Sequence, residues 1–134
     1  ITSNLIKGAS DFLKSKSVDY RLLNVPGALE IAPAIKLISD KSVKKPIFDG
    51  YLALGCVIRG ETYHFEIVAN ESSRALTDLS VNYSIPIGNG ILTVSNKDQA
   101  FRRSDPTQLN KGAGAAQACL SLINIKNSID YEWY

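Results

Sequence analysis

The one histidine of the chain, His64, ends a polar run, Arg59-Gly60-Glu61-Thr62-Tyr63-His64, that directly follows an apolar segment. An imidazole exchanges protons around neutral pH and serves as a general base or acid when a site needs one. The hydroxyl and the free N–H groups of a Gly60-Glu61-Thr62 turn suit an anion. Two more polar groupings follow apolar segments: Val25-Pro26-Gly27-Ala28-Leu29-Glu30 and Ser95-Asn96-Lys97. Asn89 sits in a Gly88-Asn89-Gly90 break, and Arg102-Arg103 lie further on. Each has a plainer reading. A lone histidine is ordinarily surface or core, Glu30 near a helix start complements its dipole, and paired arginines are usually solvated. Gly88-Asn89-Gly90 lacks the spacing of a dinucleotide fingerprint, and no phosphate-loop motif occurs. Taken singly, none of these decides a function.

The elements that must position these residues alternate in type. Ile1, Leu5, Ile6, Ala9, Phe12 and Leu13 recur at spacings of three and four, an amphipathic helix that Thr2 or Ser3 could cap. Residues 20–25 read as a strand ended by Pro26-Gly27. Residues 28–38 are helical, with Pro33 in the early turns that tolerate it. The lysine-rich stretch 41–46 reads as a solvated connection. Residues 51–58, Tyr51-Leu52-Ala53-Leu54-Gly55-Cys56-Val57-Ile58, are apolar without alternation, the pattern of a parallel strand buried on both faces. A helix over 63–82 follows, its apolar side Ile67, Val68, Leu76, Leu79 and Val81. Ile85-Pro86-Ile87 and Ile91-Leu92-Thr93-Val94 form the next strand, interrupted by the glycines. A short helix over 97–103, broken by Asp105-Pro106, precedes a last helix over 111–126. This order predicts an α/β fold, a three-layer α/β/α sandwich with a mainly parallel sheet and right-handed crossovers. Ligands of such sheets bind beyond the carboxyl ends of the strands, where the polar groupings fall.

Composition narrows the class. A length of 134 residues predicts a single domain over 1–134. Hydrophobic residues at 45% and charged residues at 21% exclude a disordered chain. Fifteen Lys and Arg against thirteen Asp and Glu leave +2, too little for a nucleic-acid binder. No apolar run approaches a membrane span, and no signal-peptide core occurs. Cys56 and Cys119 form no CxxC pair, which fits a reducing compartment and a cytoplasmic protein. The sequence contains no methionine and opens at Ile1, so an N-terminal piece is expected to have been lost.

Together the polar groupings match a family in order and spacing. Val25-Pro26-Gly27-Ala28-Leu29-Glu30-Ile31 and Gly55-Cys56-Val57-Ile58-Arg59-Gly60-Glu61-Thr62-Tyr63-His64-Phe65 closely resemble the 6,7-dimethyl-8-ribityllumazine synthases. Asn70-Glu71-Ser72-Ser73, Pro86-Ile87-Gly88-Asn89-Gly90-Ile91-Leu92-Thr93 and Asn110-Lys111-Gly112-Ala113 extend the match over essentially the whole chain. The resemblance implies a flavodoxin-like fold and a transferase of riboflavin biosynthesis. Its reaction condenses 5-amino-6-(D-ribitylamino)uracil with 3,4-dihydroxy-2-butanone 4-phosphate, giving the lumazine, phosphate and water, with no cofactor and no metal. An imine forms between the 5-amino group and the ketone, phosphate is eliminated and a second ring closes.

By the same resemblance His64 is the proton-transfer residue. Glu61 and Thr62 hold the butanone phosphate through backbone N–H groups and the Thr62 hydroxyl. Arg103, in register where Arg102 is not, pairs with the phosphate. Ala28, Leu29 and Glu30 hold the ribityl chain, with Glu30 accepting hydroxyl hydrogen bonds. Cys56, Val57 and Ile58 present backbone to the pyrimidine edge, and Cys56 is not a nucleophile. Asn89 stands where many relatives carry an aromatic ring, and Lys111 matches a lysine near the site. Both reach across from a neighbouring subunit of a homopentamer, and some members assemble twelve such rings into a 60-subunit shell. The residues between Arg103 and Gly112 bear on that choice without deciding it. Relatives begin with one more strand, carrying an aromatic residue that stacks on the pyrimidine; that N-terminal strand is expected to be missing here. The alternatives are a non-catalytic lumazine- or flavin-binding scaffold of the same fold, which the missing strand and Asn89 favour, and an unrelated α/β nucleotide-binding domain. No nucleic-acid or membrane partner is expected.

Overall fold

A computed structural model describes residues 1–41 and 44–132. Its elements run α1 (Thr2–Ser15), a 3-10 turn (Ala28–Glu30), α2 (Ile31–Asp40), β1 (Tyr51–Ile58), α3 (His64–Tyr83), β2 (Ile87–Val94), α4 (Lys97–Ser104) and α5 (Lys111–Glu132). β1 and β2 pair in parallel, from Tyr51 opposite Ile87 to Ile58 opposite Val94. Helices cover both faces of this sheet, so the α/β layering expected from the sequence holds, with a smaller sheet.

The period of two along the strands sorts the core. Ala53 and Ile87 point to α2 and α3, where they pack with Ala32, Ile35, Leu76 and Leu79. Leu52, Leu54, Cys56 and Ile58 point the other way, against α1, α4 and α5. Leu5, Ala9 and Leu13, four apart, form the buried stripe of α1. Leu5 packs with Leu92 and Val94 near the carboxyl end of the sheet, and Leu13 groups with Leu52 near the other. α1 therefore runs against the strands. α5 does the same: a Cβ on Gly88 or Gly90 would strike Ala115, and one on Gly50 would strike Cys119. These glycines let α5 settle directly on β2, and Gly112 brings its first turn against the Leu5 carbonyl. On the opposite face α2 starts beside Gly55, with Ile31 Cδ1 3.8 Å from where a Cβ there would lie. Its Ile35 packs a turn further on with Ala53.

Several expectations need correction. Residues 20–25 are not a strand. No described segment offers them a ladder, and Leu22 (57% exposed) and Leu23 (64%) have no core to enter. The sheet therefore has two strands, and most of β1 is half-buried because β2 flanks one edge only. The Gly88-Asn89-Gly90 break is no break: β2 is continuous through it. Pro86 stays outside the strand, its carbonyl accepting from Tyr51 N at 2.9 Å. Neither Thr2 nor Ser3 caps α1; Ile1 holds that position, its carbonyl accepting from Leu5 N. Ile67 and Val81 (73% exposed) lie off the buried stripe of α3, which is Val68, Ser72, Leu76 and Leu79. The connection at 41–46 includes Ser42 and Val43, which lie outside the described residues; Lys41, Lys44, Lys45 and Pro46 are exposed. Pro33 falls in the first turn of α2 as expected.

Candidate active site

All the helices on both faces run against the strands or leave their ends, so their amino ends gather at the carboxyl edge of the sheet. Three connections meet there. The 3-10 turn carrying Ala28, Leu29 and Glu30 packs against β1 and α3. Its backbone is closed by Glu30 N donating to Gly27 O (3.2 Å), and Glu30 is exposed. Cys56, Val57 and Ile58 form the last residues of β1, each half-buried. Beyond them Glu61, Thr62 and His64 are exposed, with His64 the first residue of α3. No side chain caps this helix at Tyr63; of its first-turn N–H groups, that of Glu66 donates to the Tyr63 carbonyl at 3.1 Å. An anion is the natural partner for such a helix start.

Arg59 borders the same loop. Its Nη1 donates to Glu66 Oε1 and its guanidinium lies 4.5 Å from the Phe65 ring centroid. The Glu66 backbone N–H, and after it the Arg59 guanidinium, hold the Glu66 carboxyl below the usual range. The sequence reading gives neither Arg59 nor Glu66 a role. The visible signal is an arginine that opens the polar run and a glutamate two residues beyond its end.

On the other face, α4 places Arg103 half-buried, with Nη1 donating to Gln99 O at 3.2 Å, while Arg102 is exposed. Lys111 opens α5 and is exposed. Ion pairs among the described residues join Lys7 to Asp11, Lys36 to Asp40, Arg74 to Glu71 and Asp78, and Arg59 to Glu66; Arg103 and Lys111 enter none of them. Two expected contributors behave differently. The Ser95-Asn96-Lys97 grouping is occupied by capping: Asn96 Oδ1 accepts from Gln99 N (2.9 Å) and Gln99 Oε1 from Ser95 N (2.8 Å). Asn89 is exposed opposite Ala53, towards the start of β2, its Oδ1 accepting from Ile91 N at 3.0 Å. The sheet edge thus brings Glu30, the end of β1, Glu61, Thr62 and His64 together and leaves Asn89 apart.

Both thiols are free, and burial pushes both Cys56 and Cys119 up from their ordinary value. A raised value means less thiolate at pH 8, so iodoacetamide should modify both more slowly in the folded chain than in urea. Equal rates in the two states would contradict the burial. Among the described residues no three His, Cys, Asp or Glu side chains gather as a metal site, and no helix is long and apolar enough to cross a membrane.

The family model for 6,7-dimethyl-8-ribityllumazine synthase matches residues 1–127. The chain belongs to this family. It is 52% identical over 126 residues to the 6,7-dimethyl-8-ribityllumazine synthase of Bartonella tribocorum, covering 94% of this chain and 82% of the relative. The protein of the same name from Agrobacterium fabrum is 50% identical over 126 residues, 93% of this chain and 85% of the relative. That of Methylorubrum populi is 47% identical over 133 residues, 98% and 79%. Lumazine synthase membership accounts for the α/β layering and for the run from Gly55 through Phe65 that closes on the α3 start.

Proposed function

We infer that this chain is a transferase of riboflavin biosynthesis. It condenses 5-amino-6-(D-ribitylamino)uracil with 3,4-dihydroxy-2-butanone 4-phosphate to 6,7-dimethyl-8-ribityllumazine, phosphate and water. The observation that carries the chemistry is the lone imidazole of His64 on the first residue of an uncapped helix. A proton acceptor and an anion cradle then share one helix end. The phosphate sits on the α3 start, held by the backbone of Glu61 and Thr62 and the Thr62 hydroxyl. After the imine has formed, His64 takes the proton whose removal lets phosphate leave. Glu30, from the neighbouring turn, accepts hydrogen bonds from the ribityl hydroxyls. Ala28 and Leu29 line that chain, and the backbone of Cys56, Val57 and Ile58 meets the pyrimidine edge.

Arg103 supplies a guanidinium to the phosphate. Charge-assisted bonds of this kind are worth about 1.5–3 kcal/mol, so Arg103→Ala should raise the KM for the butanone phosphate roughly 10–100-fold. The KM for the pyrimidine should hardly move. Equal rises in both would remove Arg103 from the phosphate.

The working form is a homopentamer of single-domain chains in the cytoplasm, with Asn89 and Lys111 donated to a neighbour's site. Asn89 supports this reading: it lies five residues before the carboxyl end of β2 at Val94. At about 3.3 Å per residue that is roughly 16 Å from the edge carrying His64 of the same chain. Mixing the chain with both substrates, and following lumazine absorbance alongside released phosphate, tests the function. Stoichiometric formation of both above the uncatalysed rate is expected. No excess rate with the lumazine still bound would make the chain a non-catalytic binding protein.

A further inference from the structure

The loop that carries the anion cradle is held by very little. Glu61, Thr62, Tyr63 and His64 are all exposed, and a Cβ on Gly60 would meet nothing within 4 Å. Packing therefore does not set its path. Among the described residues Arg59 bridges the loop from one side to the other. Its N–H donates to Val94 O at 2.8 Å, extending the parallel ladder one residue past β1. Its guanidinium lies on the Phe65 ring at 4.5 Å and pairs with Glu66 in the first turn of α3. One residue thus ties the sheet end to the helix start and fixes how far apart they stand.

We propose that Arg59 is a positioning residue: through Glu66 and Phe65 it holds the 60–63 loop so that the α3 N–H groups and His64 face one substrate. The proposal rests on the function inferred above. Two observations give it content. The guanidinium is engaged with Glu66 and Phe65, so it is not the phosphate partner. The pair is also open to solvent, Arg59 exposed at 51% and Glu66 half-buried at 29%, and pairs in contact with water add little to global stability. Its loss should therefore register in the site and hardly at all in the melting temperature. Lysine cannot substitute, because a compact ammonium lacks the planar group that stacks and pairs at once.

The test is a double-mutant cycle with Arg59→Ala, Glu66→Gln and the double variant, measuring kcat, both KM values and Tm. Each single variant should lower kcat/KM for the butanone phosphate about tenfold with Tm within about 2 °C of the parent. The double variant should be no worse than either, and Arg59→Lys should not restore the rate. Parental kinetics in Arg59→Ala would overturn the proposal. So would losses that add, or a harmless Glu66→Gln beside a damaging Arg59→Ala, which would put Arg59 on the phosphate itself. A parent chain that forms no lumazine would sink the inferred function instead. The clamp is then read from amide exchange at residues 60–64, which Arg59→Ala should accelerate; unchanged exchange overturns it.

Discussion

Replacing His64 by alanine is expected to slow lumazine formation about 10²–10⁴-fold at saturating concentrations of both substrates. The affinity for a non-reacting pyrimidine should stay nearly intact. His64 is exposed, and among the described residues its side chain makes no hydrogen bond or ion pair. Little of the fold depends on it, and its loss removes a proton acceptor while leaving the cradle in place. A residual rate is expected, because holding two reactants together accelerates their condensation without any base. The decisive comparison sets kcat against the dissociation constant of the pyrimidine. A large fall in kcat with an unchanged constant assigns proton transfer to His64. Parallel losses in both would make it a binding residue and remove it from the chemical step.

Gly88→Ala is expected to damage the fold and not just the site. The added Cβ would lie 1.9 Å from the Ala115 carbonyl oxygen and 2.8 Å from its carbon. Both are backbone atoms of α5, which cannot swing aside as a side-chain tip can. Overpacking ordinarily costs about 1–3 kcal/mol, and a clash with helix backbone belongs at or above the top of that range. In a chain of this size roughly 3 kcal/mol is about 10 °C in Tm. Gly114→Ala is the companion measurement. It sits on the exposed side of the same helix with nothing within 4 Å of its added Cβ. Alanine there should raise stability by about 0.5–1 kcal/mol through helix propensity. Opposite signs at Gly88 on β2 and Gly114 on α5 would establish the seating of that helix on β2. A Gly88→Ala chain melting with the parent would disprove it.

What the sequence made legible, and what it hid, divides along a physical line. β1 was readable to the residue because an unbroken apolar run of eight has few other fates, and α4 to within one residue of its end because Asp105-Pro106 breaks it. The strand expected over 20–25 failed because strand pattern reports propensity, while a strand exists only with a ladder beside it. The Gly88-Asn89-Gly90 segment misled in the opposite sense: glycines that look like a turn are there to admit α5. At the sheet edge, Thr62 and His64 were readable because they stand just beyond β1, whereas Glu30 lies in the turn before α2 and follows a segment that is not a strand. Arg59 and Glu66 escaped because their pairing runs across a loop, and no periodicity announces such a contact.

The gathering of helix amino ends at one edge of the sheet also bears on how a substrate arrives there. The field of a helix end fades within about a turn, and the chain as a whole carries only +2. An anion more than about 8 Å away, a screening length at physiological salt, therefore feels almost nothing of the site. Such an edge retains a phosphate that has already arrived and does not draw one in from a distance. Encounter is then left to ordinary diffusion, and added salt should change how long the phosphate stays far more than how often it comes.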